Sequence, residues 1–141
     1  MVRTGSAIWQ GGILDGKGTV STETNTLNNA PYSFTSRFEE GQGTNPEELI
    51  GAAHAGCFSM ALSAVLGGHN LTADKIETSA QVTVVKQEAG FAITQIHLVL
   101  NATIPGATEE QFQAAAAEAK ANCPVSKVLN AEITLEATLN S

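Results

Sequence analysis

Leu49-Ile-Gly-Ala-Ala-His-Ala-Gly-Cys-Phe-Ser-Met-Ala-Leu-Ser-Ala-Val-Leu66 carries no charged side chain, and its apolar residues fall on every side of a helix rather than along one stripe. Asn45 and Pro46 precede it. The Asn side chain suits the cap of a helix start, and Pro at the first helical position sacrifices no hydrogen bond. Gly67-Gly68 follow as the expected stop, so the spacing predicts a central helix from about Pro46 to about Leu66. The stretch approaches the length of a membrane span. His54, Ser59, Ser63, Gly51 and Gly56 dilute it, however, Glu47 and Glu48 flank one end, and no Lys or Arg flanks either end, so it reads as the buried centre of a soluble protein. Such a helix must be covered on all sides, and one small sheet covers only one. The expectation is an obligate homodimer whose two central helices pack on each other inside sheets contributed by both chains.

Upstream, residues 1–45 read as short strands with glycine-rich turns. They comprise Ser6 to Gln10, an Asp15-Gly16-Lys17-Gly18 hairpin loop, Thr19 to Thr24, and the alternating Tyr32-Ser-Phe-Thr-Ser-Arg-Phe38 as a further strand. Downstream, over residues 74–139, the alternation is sharper. Ile76, Ala80, Val82 and Val84 alternate with polar residues. After a Glu88-Ala-Gly90 turn, Ile96, Leu98, Leu100, Ala102 and Ile104 do the same, which predicts two long paired strands with one buried face. Thr108 and Gln111 fit a capping box for a helix burying Phe112, Ala115, Ala116 and Ala119, with Asn122 closing it in a left-handed conformation. Cys123 to Leu129 reads as one short helix, and Ile133, Leu135, Ala137 and Leu139 as the last strand. The class is α+β in a single domain, with antiparallel sheets wrapped around long central helices.

The 141 residues are 43% hydrophobic, enough for one core, and carry a formal charge of −7. Lys and Arg are scattered singly, which argues against nucleic acid or an anionic membrane as partner. The N-terminal Met1-Val-Arg-Thr-Gly-Ser has no apolar signal region, so a cytoplasmic location is expected, where paired cysteines are more often catalytic or metal-binding than structural.

There are two cysteines, Cys57 inside the central helix and Cys123 before Pro124. Two locally unlike thiols suggest one attacking and one resolving sulfur. Cys123 at a helix start would meet unpaired N–H groups that favour thiolate. Cys57, well inside its helix, gains little from a dipole, and burial alone would raise its pKa, so it needs a cation. Of the two arginines, Arg3 and Arg37, the second sits just before the turn feeding the helix. Its guanidinium would favour thiolate and could hydrogen-bond peroxide oxygens, with Glu47 or Glu48 as the nearest carboxylate to pair it.

The stretch from Arg37 to Leu62, with its Thr-Asn-Pro-Glu helix entry ten residues before the first cysteine, and the later Cys123-Pro-Val-Ser-Lys-Val-Leu129 resemble the OsmC/Ohr family of organic hydroperoxide reductases, most of all its OsmC (osmotically inducible) branch. The resemblance runs from the first strand to the last. It implies an intertwined homodimer without metal or organic cofactor. The activity implied is thiol-dependent reduction of hydroperoxides, organic ones ahead of hydrogen peroxide, in oxidative or osmotic stress. By position, Cys57 matches the peroxidatic cysteine, Cys123 the resolving one, and Arg37 and Glu47 the pair that activates and orients the first thiol; Glu48 matches no catalytic position. The implied course is attack of Cys57 on the peroxide, release of the alcohol, capture of the Cys57 sulfenic acid by Cys123 as a disulfide, and reset by an external dithiol, dihydrolipoyl-type in the Ohr branch. Gly56 departs from the Ala expected there, which would loosen the helix locally.

Ten residues of helix span about 15 Å, which stretches an Arg37 asked to serve both Glu47 and Cys57. Either the helix breaks, with Gly51 the place for it, or the Arg37 and Glu47 serving one Cys57 come from the other subunit, as antiparallel central helices would arrange. Other readings of the same residues are a zinc site of His54, Cys57 and Cys123 or His97, a thiol hydrolase with His54 as base, and a small-molecule-binding dimer with incidental cysteines. The zinc set lacks a second close-spaced pair of ligands, and a mid-helix sulfur lacks an oxyanion hole of its own. Phe38, Leu49, Ile50, Phe58 and Met60 are near the site in sequence and could line an apolar entrance or be core.

Overall fold

A computed structural model describes Met1 to Asn140, which divide into two compact units, Met1–Leu49 and Ile50 onward. In the first, β1 (Gly5–Gln10), β2 (Lys17–Thr22) and β3 (Ala30–Tyr32) form an antiparallel sheet in that order. The hairpin loop starts four residues and ends two residues earlier than expected, over residues 11–16, because Lys17 and Gly18 are already paired with Gln10 and Trp9. Gly18 lies between Trp9 and Tyr32, whose ring centroids are 5.4 Å apart. A Cβ there would come within 2.7 Å of Trp9 Cε3, so only glycine lets the rings close over the strand.

The expected strand over Tyr32–Phe38 is not one beyond Tyr32. Residues Phe34–Phe38 form a short helix, α1. Ser33 and Ser36 make a reciprocal capping box, and Phe34 and Phe38, one turn apart, stack with centroids at 5.1 Å. Polar and aromatic residues that alternate also satisfy an i, i+4 pair, and over five residues the local cap decides.

The central helix, α2 (Pro46–Gly67), is continuous. Asn45 Oδ1 accepts from Glu48 N–H at 2.8 Å, as the helix entry predicted. At the far end the left-handed residue is Asn70 (φ 59°), with Leu71 N–H reaching back to the Leu66 carbonyl at 2.9 Å, and neither Gly67 nor Gly68 has a positive φ. No break occurs at Gly51. A Cβ at that position would lie 3.1 Å from the Ala80 carbonyl oxygen, so this glycine serves close helix-to-strand packing.

In the second unit β4 (Lys75–Gln87) and β5 (Gly90–Thr103) pair antiparallel with Ile76 opposite Ala102, Ala80 opposite Leu98 and Val82 opposite Ile96. The last strand, β6 (Glu132–Asn140), pairs with β5 in parallel, which corrects the expectation of purely antiparallel sheets. The physical reason is the connection. Residues 104–131 carry α3 (Glu109–Asn122) and α4 (Pro124–Val128) back along the sheet, and a helical crossover delivers the next strand in the same direction. The Thr108–Gln111 capping box forms, and Phe112, Ala115, Ala116 and Ala119 are buried as predicted. Asn122 is not left-handed. It is the last helical residue, and Cys123 (φ −58°, ψ 130°) ends the helix because a residue before proline is driven out of the α region.

The core joins Phe58, Leu62 and Leu66 of α2 to Ile96, Leu98 and Leu100 of β5 and to Phe112 of α3, each at most 1% exposed. Each such burial stabilises by about 1.5–3 kcal/mol. Within one chain α2 is covered on one side only. Ala52, Ala53, Gly56, Met60 and Ala64 are exposed, Met60 to 77%. By length and composition α2 suits a bilayer, with mean hydropathy 1.7, yet only 28% of its apolar window is buried inside the chain.

Candidate active site

Cys57 enters the site from the middle of α2, one residue before the fully buried Phe58, and is itself partly exposed. Cys123 arrives from the junction of α3 and α4 and is fully buried. Their sulfurs, 66 residues apart in sequence, are 3.1 Å apart and in hydrogen-bond contact. A disulfide needs them to approach by about 1 Å more.

The two thiols differ in acidity. Burial pushes Cys57 up, and the neighbouring Cys123 adds to this against a hydrogen bond from the Val125 backbone. Cys123 is pushed up by burial too, but hydrogen bonds from the Ser126 backbone, Cys57, the Ser126 hydroxyl and the Val125 backbone outweigh that and bring it below the ordinary thiol value. The Ser126 N–H points at Cys123 Sγ from 3.4 Å, as expected of a sulfur at a helix start.

Ser126 was not among the residues singled out from sequence. Its hydroxyl is 2.7 Å from His54 Nε2, and both residues are buried. The spacing held a signal, since His54 lies three residues before one cysteine and Ser126 three after the other. His54 is held below its ordinary pKa by burial, and its Nδ1 has no partner among the described residues. His54 therefore engages Ser126 and not the Cys57 sulfur, which removes the geometry a hydrolase base requires. His97 Nδ1 bonds Thr134 Oγ1 at 2.6 Å on β6, and among the described residues no three His, Cys, Asp or Glu side chains gather as metal ligands.

In the first unit Arg37 Nε donates to Glu47 Oε1 at 2.9 Å, and the guanidinium lies 4.8 Å from the Phe38 ring centre. Glu47 is buried, with Oε2 unpartnered among the described residues. Glu48 is exposed and takes the Thr44 hydroxyl at 2.8 Å. Sequence left Glu47 and Glu48 open as partners of Arg37, and the ion pair selects Glu47. Arg37 and Phe38 also line a cleft of about 220 Å³ with Trp9, Ile13, Tyr32 and Phe34. Of the other residues offered for an apolar entrance, Phe58 is core, Ile50 packs against the core, Leu49 is half-buried and Met60 is exposed.

Two small sheets, a long apolar helix and an adjacent thiol pair contributed by that helix and a Cys-Pro helix start define a class of α+β dithiol proteins. Residues 39–138 match the model of the OsmC-like protein family, and the chain belongs to that family. It is 55% identical over 139 residues to Peroxiredoxin OsmC of Escherichia coli K12, covering 99% of this chain and 97% of that one. Organic hydroperoxide resistance protein OhrB of Bacillus subtilis is 38% identical over 103 residues, 70% of this chain and 73% of its own. The crystal structure of OhrB superposes with a TM-score of 0.73 at 29% identity, covering 96% and 98% of the two chains.

Proposed function

We propose that the protein is a cysteine-based peroxidase that reduces organic hydroperoxides, and hydrogen peroxide more weakly, to alcohols. The observation that carries this is the 3.1 Å approach of Cys57 and Cys123 in a chain 55% identical to a peroxiredoxin over nearly its whole length. Cys57, the more accessible sulfur, attacks the peroxide and becomes a sulfenic acid. Cys123, the more acidic one, displaces water from it to form the disulfide, and an external dithiol of dihydrolipoyl type restores both thiols.

Cys57 is the weaker acid of the pair, and its activation is assigned to Arg37 and Glu47. Glu47 orients the guanidinium, and its unpartnered Oε2 is an acceptor for the hydroperoxide O–H. The aromatic cleft beside Arg37 suits an alkyl or aryl group better than hydrogen peroxide. The break at Gly51 having failed, the remaining answer to the ten-residue spacing is that Arg37 and Glu47 serve the Cys57 of a partner subunit in an intertwined homodimer. The bare apolar face of α2 supports that assembly.

Thiol titration with peptide mapping tests the reading. About one equivalent of cumene hydroperoxide removes both thiols and yields a Cys57–Cys123 disulfide; a small-molecule-binding dimer with incidental cysteines retains both. Mixed dimers of an Arg37 variant and a Cys57 variant regain one working site if the pair acts across subunits, and none otherwise.

A further inference from the structure

Every group of the proposed peroxidase cycle is accounted for except His54, a fully buried imidazole at the heart of the thiol site. As packing alone it is a poor choice, because Nδ1 is buried without a partner and an apolar side chain of similar size would leave nothing unsatisfied. Among the described residues its polar contact is the 2.7 Å bond between Nε2 and Ser126 Oγ. Ser126 in turn supplies Cys123 with its backbone N–H at 3.4 Å and with its hydroxyl.

The orphaned atom fixes the direction of this chain. A bare acceptor is less costly to bury than a bare N–H, so the proton of the neutral ring belongs on Nε2. Nε2–H then donates to Ser126 Oγ, which leaves the Ser126 hydroxyl proton free to point at Cys123 Sγ. Burial holds the ring neutral, in keeping with this tautomer.

We propose that His54 is a positioning residue which, through Ser126, fixes a hydroxyl donor on the Cys123 sulfur and thereby makes Cys123 the sulfur that departs as thiolate when a dithiol reduces the Cys57–Cys123 disulfide. This rests on the thiol-peroxidase reading of the site. The step balances as follows. One thiolate of the dithiol attacks the accessible Cys57 Sγ, the S–S bond breaks, and its electron pair goes to Cys123 Sγ, which the Ser126 N–H and hydroxyl stabilise. The second thiol of the reductant, losing its proton to solvent, displaces Cys57 from the mixed disulfide. Two electrons leave the dithiol, which becomes a disulfide, and both protein thiols are restored with protons from solvent. Attack in the other sense is disfavoured twice over, since Cys123 is buried and Cys57 is the poorer leaving group.

The test uses Ser126→Ala, His54→Gln, His54→Leu and the Ser126→Ala/His54→Leu double variant. In a Cys57→Ser background, the thiolate ultraviolet absorbance titrates Cys123 directly. With Cys57 replaced, the groups acting on Cys123 are the Ser126 and Val125 backbone donors and the Ser126 hydroxyl. The apparent pKa of Cys123 rises by about one unit in Ser126→Ala and in His54→Leu. It rises no further in the double variant, and most of the shift is absent in His54→Gln, whose amide can still donate to Ser126.

With both cysteines present, the disulfide is made with diamide, so that no peroxide chemistry is needed. Its reduction by dithiothreitol slows about three- to tenfold in Ser126→Ala and His54→Leu, and a monothiol trapped on the wild-type disulfide is found on Cys57. A Cys123 titration unmoved by Ser126→Ala, or a trapped adduct on Cys123, overturns the inference. Should His54→Leu not fold, a shift in Ser126→Ala without one in His54→Gln upholds it, and equal titrations overturn it. Absence of peroxide turnover with these thiol effects intact would instead count against the peroxidase reading alone.

Discussion

Replacing Arg37 with Met strips the Glu47 carboxylate of its partner while keeping an unbranched apolar stem against Phe38. The bond lost is a charge-assisted one of 2.9 Å, and Glu47 is left with a side chain only 9% exposed and both oxygens unsatisfied among the described residues. Charged hydrogen bonds contribute about 1.5–3 kcal/mol, and orphaning one member of a fully buried pair costs about 3–5 kcal/mol. Arg37 is 38% exposed, so water screens the pair and already solvates part of it, which places the expected loss near the lower range, at about 2 kcal/mol. Adding Glu47→Gln removes the stranded charge and should recover about half of that loss. Urea unfolding at one fixed protein concentration measures both variants, the fixed concentration being needed because assembly contributes to apparent stability. Peroxidase turnover should fall about 100-fold or more in both, since the guanidinium is then missing from the transition state. An Arg37→Met protein as stable as wild type, or a double variant whose two losses simply add, would refute the claim that the pair is a buried, mutually dependent unit.

His54 supplies a pH dependence. Its folded-state pKa is lowered by burial from 6.5, so the unfolded chain binds the proton first and stability, complete above about pH 6.5, is lost as pH falls toward the folded value. The slope has an upper limit of about 1.4 kcal/mol per pH unit, and His54→Gln flattens it below about pH 6.5 in urea titrations. Gly56→Ala places a methyl in open space within the chain and should raise the stability of an isolated chain by about 0.5–1 kcal/mol, or about 3 °C in melting temperature. Met60→Glu, at a 77% exposed position, should change the stability of an isolated chain by no more than about 0.5 kcal/mol. It should nevertheless dissociate the proposed dimer, read as a shift to monomer mass in sedimentation at micromolar concentration.

What the chain revealed in advance was what local pattern controls. Asn45-Pro46, the Thr108–Gln111 box and the alternation from Ile76 to Ile104 each set an element through contacts within a few residues, and these elements formed as read. The misreadings occurred where a local preference met a stronger neighbour. Pro124 ended α3 through Cys123 before Asn122 could turn left-handed, and the Ser33–Ser36 cap made a helix of an alternating heptad. The parallel pairing of β6 is a consequence of the path taken by α3 and α4, which no periodicity within β6 encodes. In the site, both cysteines were legible from their helix contexts, but their 3.1 Å meeting is a tertiary event. Ser126 was passed over because a serine in a short helix carries no chemistry until His54 is set against it.

The central claim is tested most directly by steady-state consumption of cumene hydroperoxide and hydrogen peroxide with dihydrolipoamide as reductant, comparing wild type with Cys57→Ser and Cys123→Ser. The account predicts turnover that favours the organic peroxide, is abolished by Cys57→Ser and is crippled by Cys123→Ser. Absence of turnover with any dithiol, together with thiols that survive peroxide, would contradict it and leave a dimer that binds small molecules without this chemistry.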